Sequence, residues 1–192
     1  DSIAIAEYPL DSHACTTEHQ RGSHADGGFY ASQVTRPSHV PYRTLLPTGV
    51  DNLLVPGPLS STHVGYSMLR LEPTWMHVGE VAGVAAALAV EAGTAPADLD
   101  ASRVQRALVE REVLLSFFNE FDAGDEEPWV SAVQFLGTKG FFDAYDARPE
   151  VPLSEAVAPI WAAHAARLLA GDLGDASARA RELPDADDST VT

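Results

Sequence analysis

Glu72-Pro73-Thr74-Trp75-Met76-His77-Val78-Gly79-Glu80-Val81-Ala82-Gly83-Val84-Ala85-Ala86-Ala87-Leu88-Ala89-Val90-Glu91-Ala92-Gly93 is the stretch whose reading decides the fold class. Pro73 stands at the first turn, where its missing N–H costs nothing, and Gly93 stands where a left-handed cap is needed. The spacing predicts one long helix with its interior from Trp75 to Ala92. Gly79, Ala82, Gly83, Ala86 and Ala87 recur at three- and four-residue intervals, so one face is nearly bare of side chains. Glycine costs about 1 kcal/mol in a helix interior. A bare face therefore implies close packing against a sheet or another helix.

Upstream, Asp51-Asn52 leads into Leu53-Leu54-Val55, a short apolar run that predicts a buried strand, and Pro56-Gly57-Pro58 ends it. Residues 1–50 are rich in His, Ser, Pro and Gly. Apolar runs at 2–8 and 29–35 predict strands, with a ligand-facing or mobile loop over 16–28. Downstream the pattern is helical. Asp100-Ala101-Ser102 caps a helix running to about Glu112, with Val104, Ala107 and Leu108 at helical period. The segment 113–121 fits neither period. An acidic break over 122–127 precedes a helix from Pro128-Trp129 to Gly140, another runs over 154–169 with a bend at Pro159, and a short one follows Gly174. The expectation is a mixed α+β or α/β fold, with few strands within 1–56 and helices after residue 72. Its divisions are a strand-and-loop segment (1–50), a strand and long helix (51–93), a helical region (94–184) and a disordered tail (185–192).

Composition narrows the function classes. The 192 residues are 45% hydrophobic, enough for a substantial core, and carry a formal charge of −16. That charge repels phosphate backbones and anionic membranes, and the 12 Lys and Arg form no cluster, so nucleic acid is not an expected partner. No run approaches the roughly 20 apolar residues of a membrane span. A single cysteine, Cys15, allows no disulfide within the chain. The sequence opens at Asp1-Ser2-Ile3-Ala4 in strand-like alternation without a Met, as a chain entered in its middle would. The expected protein is soluble, and whether cytoplasmic or exported is open.

Between residues 52 and 74 the chain leaves the expected strand, crosses a surface of small and hydroxyl residues, and enters the long helix at its N-terminus. Unpaired N–H groups there offer a partial positive charge. A flavin edge that gains negative charge on reduction suits such a terminus. Several motifs then fall in one order: Pro41-Tyr42-Arg43-Thr44-Leu45-Leu46-Pro47, Gly49 through Gly57, Ser60-Ser61-Thr62-His63, Arg70-Leu71-Glu72-Pro73-Thr74, and Met76-x-x-Gly79-Glu80-x-Ala82-Gly83. Together with Asp1-Ser2-Ile3-Ala4 and Asp11-Ser12-His13, they cover about half of the chain. This run closely resembles the C-terminal part of the xanthan lyase-like FAD-dependent oxidoreductases.

The resemblance implies a discontinuous FAD domain, in which residues 53–57 are a late strand and 72–92 a late helix closing over the flavin ring. On that footing Gly57, Pro58, Leu59, Ser60, Arg70, Leu71, Glu72 and Thr74 become flavin neighbours. The family's Gly-x-Gly-x-x-Gly phosphate turn occurs nowhere in the 192 residues. An expressed fragment, a proteolytic remnant or a partner chain would each account for that, the first two being favoured. The expected partner is thus the N-terminal FAD-binding half, in the same protein or another chain, and this chain alone is expected to bind FAD weakly or not at all. With the long helix's small face uncovered, self-association into a homo-oligomer is a further expectation.

Individual residues carry two readings each. His63 follows Ser60-Ser61-Thr62 and suits a base that removes a hydroxyl proton during hydride transfer, or a loop histidine bonded to backbone. His13 suits the same pocket from the other segment. Tyr42 and Arg43 suit substrate binding, Arg43 equally a brace through its forked donors. His13, Cys15, His19 and His24 are metal-binding types, but their spacing matches no ligand pattern, and no metal is expected. No Gly-x-Ser-x-Gly elbow surrounds Ser60, Ser61 or Ser67, which leaves a serine hydrolase unsupported. Trp75 and Met76 read as packing. The parent enzyme implied by the resemblance moves a hydride from a substrate C–H to flavin N5, and the family label suggests a small carbohydrate-like substrate. A second resemblance, over Trp129 to Ala156, is to one S-layer-homology-like helical hairpin, and it supports the competing reading of a noncatalytic binding or assembly module.

Overall fold

Ser2–Ala6 alternates small and apolar side chains, and in the computed structural model it forms β1, paired antiparallel with β4 (Ser38–Pro41). Ala4 faces Val40, Ile5 faces His39 and Ala6 faces Ser38, with an irregularity in register between Ser2 and Ala4. A second antiparallel pair joins β2 (Leu10–Ser12) to β3 (Phe29–Ala31). The structure describes residues 1–13, 28–31 and 35–184. Cys15, His19, His24, the tail from 185, and nearly all of the expected loop over 16–28 lie outside them. Contacts divide the chain into two units, Asp1–Leu108 and Val109–Thr192.

In the first unit the long helix, α2, spans Glu72–Ala92, as the bracketing Pro73 and Gly93 require. Gly93 adopts φ 63, and its N–H returns to the carbonyls of Ala89 and Val90, a left-handed cap that a Cβ would strain. The helix lies against β1 through Val78, Val81, Ala82, Ala85 and Ala89, while Ile3, Ala4 and Ala6 are buried on the strand. Full burial of a valine contributes roughly 1.5–3 kcal/mol, so Val78 and Val81 anchor this contact. Ala82 of the small stripe is on this packed side, and the rest of the stripe points away from it. Gly83, Ala86 and Ala87 face outward beside Met76 and Val90, which are 77% and 83% exposed. Among the described residues, nothing lies within 4 Å of a Cβ built on Gly79 or Gly83. The helix is apolar on both sides, and among the described residues nothing packs closely on its Gly79 and Gly83 face.

Residues 53–55 correct another expectation. They form no strand: Leu53 is 46% exposed, and the backbone bond found in the run goes from Val55 N–H to the Leu45 carbonyl. The run crosses from a short 3-10 helix at Tyr42–Leu45 to a turn over Pro56-Gly57-Pro58. A further helix, α1 (His63–Leu69), precedes α2; Thr62 caps it by accepting a hydrogen bond from the Gly65 N–H at 3.0 Å. The helix α3 (Ala101–Val109) stops short of Glu112, which takes a positive φ. Asp100 caps it at the Ser102 N–H. Gln105 donates its amide to the Ser2 carbonyl at 2.7 Å, and Tyr42 donates its hydroxyl to the Pro96 carbonyl at 2.8 Å. These two bonds hold residues 96–105 to the strand end of the same unit. The architecture is mixed α and β and helix-rich after residue 72.

The second unit is built from α4 (Val130–Gly137), α5 (Val157–Leu169) and α6 (Ala176–Ala180). Its core is aromatic: Phe118, Phe121 and Val130 are buried, with Trp129 edge-on to Phe121 at 4.9 Å and Phe142 edge-on to Phe118 at 5.0 Å. Gln134 is buried and its Oε1 accepts from the backbone N–H groups of Leu115 and Ser116, which holds an otherwise irregular strip in place. Arg179 is 1% exposed and gives its Nε–H to the Lys139 carbonyl and both Nη groups to the Leu173 carbonyl. Pro159 does not bend α5, because the helix begins at Val157 and the proline falls in the first turn. No helix of the described residues is long and apolar enough to cross a membrane.

Candidate functional site

Two short elements of the first unit build a cleft. Strand β2 ends at Ser12, so Asp11 and His13 are two residues apart and extend from the same side of extended chain. Helix α1 packs against β2 and ends at Arg70. Arg70 Nη2 donates to Asp11 Oδ2 at 2.8 Å, and His13 Nε2 is 3.1 Å from Asp11 Oδ1 and 3.2 Å from Oδ2. The Tyr8 ring lies under the Arg70 guanidinium at 5.8 Å. His63 Nε2 is 2.9 Å from the His13 carbonyl oxygen, so its N–H donates there and ties the start of α1 to the end of β2. Tyr66 closes the wall by donating to the Gly57 carbonyl at 3.3 Å.

The cleft measures about 570 Å³, within the size range of small-molecule sites. It brings together both histidines read from the sequence, His13 and His63, with three of the expected flavin neighbours, Pro58, Leu59 and Arg70. A second hollow of about 490 Å³ takes Ser60 and Arg43 instead. Arg43 is paired with Asp1 at 3.1 Å, and Ser60 Oγ donates to the Leu46 carbonyl. Tyr42 lines neither space: it is 3% exposed, and burial pushes its hydroxyl pKa up to about 12. Gly57, Leu71, Glu72 and Thr74 also stand outside both linings, Thr74 being buried on α2. The α2 N-terminus has Leu71 as its cap, with no side chain to bond the free N–H groups, and Glu72 supplies a negative charge beside them. Among the described residues no three His, Cys, Asp or Glu side chains gather as a metal site.

Sequence reasoning passed over Asp11, Thr62, Tyr66 and Ser67 as site residues. For Asp11 the signal was available, since Asp-x-His on a strand puts a carboxylate and an imidazole on one face. For the other three the signal depended on recognising α1.

The family described as FAD dependent oxidoreductase matches residues 1–108. That is more than half of the chain and coincides with the first unit, Asp1–Leu108. The chain belongs to the FAD dependent oxidoreductase family. No curated protein and no solved structure matches it.

Proposed function

We propose that the first unit forms the ring-side and substrate-side wall of a flavin site in which a hydroxyl-bearing small molecule is oxidised. The observation that carries this reading is the convergence of Pro58, Leu59 and Arg70 with His13 and His63 on one cleft, inside the segment that matches the family. When bound, FAD supplies the hydride acceptor, flavin N5.

The residues fit the ring end of FAD and not its phosphate end. Pro58 and Leu59 give an apolar wall, and Arg70 gives a cation held in position by Asp11. No Gly-x-Gly-x-x-Gly turn exists in the sequence to hold a pyrophosphate. An N-terminal FAD-binding half, in the same protein or in a partner chain, supplies that turn in this reading. The uncovered Gly79, Gly83 and Ala87 face of α2, flanked by exposed Met76 and Val90, supports such a partner, because an apolar helix face of this kind gains by close packing. His13 and His63 provide the imidazoles from which the base is drawn, and a carbohydrate-like substrate agrees with the hydroxyl and histidine lining. The cleft walls orient the substrate, and an imidazole takes its hydroxyl proton as the C–H hydride departs.

The test is the protein assembled with its FAD-binding half. Flavin absorbance is expected in the purified assembly, and its absence refutes the reading. His63→Ala is expected to slow flavin reduction by at least tenfold. An unchanged rate removes His63 from the reaction.

A further inference from the structure

We infer that Asp11 is a positioning residue that fixes the His13 imidazole with its proton on Nε2, so that Nδ1 is the proton acceptor of the cleft. The inference deepens the oxidation reading and rests on it.

Two arrangements of the His13 proton compete. With the proton on Nε2, that nitrogen donates to the Asp11 carboxylate, whose oxygens stand 3.1 and 3.2 Å away. With the proton on Nδ1, a lone pair on Nε2 would face both carboxylate oxygens at those distances, and its one donor would be Arg70 Nη2 at 3.5 Å. That distance is at the limit of a hydrogen bond, while a bond to a carboxylate is charge-assisted and roughly twice as strong as a neutral one. Arg70 is in any case committed to Asp11 Oδ2 at 2.8 Å. The carboxylate therefore decides the tautomer, and the bond at one ring nitrogen sets the chemistry of the other.

The surroundings suit that role. Asp11 is 21% exposed and Arg70 31%, so the pair is partly withdrawn from water, while His13 is 73% exposed and accessible to a ligand. His63 holds the backbone of the same residue through the His13 carbonyl. Asp11 is thus bound on one side by a cation and on the other by the imidazole it orients. In the reaction the substrate O–H bond breaks and its proton moves to His13 Nδ1. The electron pair left on oxygen closes the C=O bond, and the C–H pair leaves as hydride to the flavin acceptor.

Long-range proton–nitrogen correlation of the imidazoles in this chain at pH 8 reads the tautomer without flavin or substrate. The expected result is Nε2–H His13 in excess of Nδ1–H by more than tenfold, collapsing toward a mixture in Asp11→Asn. Predominant Nδ1–H, an even mixture in the wild-type chain, or an Asp11→Asn spectrum identical to wild type overturns the inference. Should Asp11→Asn fail to fold, the wild-type ratio and Arg70→Lys decide, the latter keeping the excess because Asp11 stays. In the FAD-loaded assembly, with glucose as the hydroxyl probe, Asp11→Asn is expected to lower the rate constant of flavin reduction at least tenfold at little change in KM. An equal rate constant overturns the positioning role. If wild-type flavin is not reduced by any hydroxyl donor, the oxidation reading itself fails, an outcome distinct from a wrong tautomer.

Discussion

Replacing Gly79 and Gly83 together by alanine tests whether the outer face of α2 is open in this chain. Each glycine forfeits about 0.8–1.0 kcal/mol of helix stability relative to alanine. Among the described residues nothing stands within 4 Å of the Cβ that either substitution would add, so no clash subtracts from the gain. The pair is expected to stabilise α2 by about 2 kcal/mol, which slows exchange of its amide hydrogens by roughly thirtyfold wherever exchange proceeds through opening of the helix. Hydrogen exchange resolved on α2 peptides measures this, with peptides of α4 as the internal control. An unchanged or faster exchange in α2 refutes the reasoning, because it means the glycines already touch something that a methyl group displaces. Gly83→Leu extends the test to the assembly. It should leave this chain folded while abolishing association with the FAD-binding half.

Two further outcomes follow from backbone and charge. Gly140 holds φ +78, and an added Cβ would meet the backbone of Ala176, with its carbonyl carbon at 2.9 Å, so Gly140→Ala is expected to destabilise the second unit by about 2–4 kcal/mol. Urea unfolding followed by the fluorescence of Trp129 and Trp161 reports it, and a midpoint equal to wild type disproves the close approach. Burial lowers the pKa of His77 below its ordinary 6.5, against a smaller upward pull from Glu80. Below that value the folded state binds fewer protons than the unfolded chain, so the stabilisation is full above about pH 6.5 and is lost as pH falls through the lowered value. His77→Gln should flatten this loss between pH 7.5 and 5, and equal pH dependence in the two proteins excludes His77 as its source.

The long helix was legible because Pro73 and Gly93 act through local backbone chemistry that no tertiary contact has to supply. Residues 53–55 were misread for the opposite reason. A short apolar run bounded by Pro and Gly is a strand only if a partner edge exists, and Val55 finds a single carbonyl, that of Leu45. Helix α1 was missed because its seven residues include Gly65 and too few apolar positions to show a period, its clearest mark being Thr62 as cap. The histidines of the cleft were readable as residue types, and the motif order pointed to the FAD dependent oxidoreductase family, the level that the match over residues 1–108 shows. Their geometry was not readable, since the Asp11–Arg70 pair joins positions 59 residues apart. The bare face of α2 was legible as small, but what covers it was not, because composition records what a face could accept and not whether it is filled.

The bond from Gln105 to the Ser2 carbonyl spans 103 residues and has a consequence for synthesis. At translation rates of roughly 5–20 residues per second, β1 waits about 5–20 s after emerging before the glutamine that accepts it into the core exists. Strand β4 arrives far sooner and covers one edge, but the buried faces of Ile3 and Ala4 stay open until α2 and α3 are made. Within this chain the first unit therefore cannot close around β1 until residue 105 has been made. A chain stalled before residue 105 would show protease-sensitive β1, and one released after α3 would not.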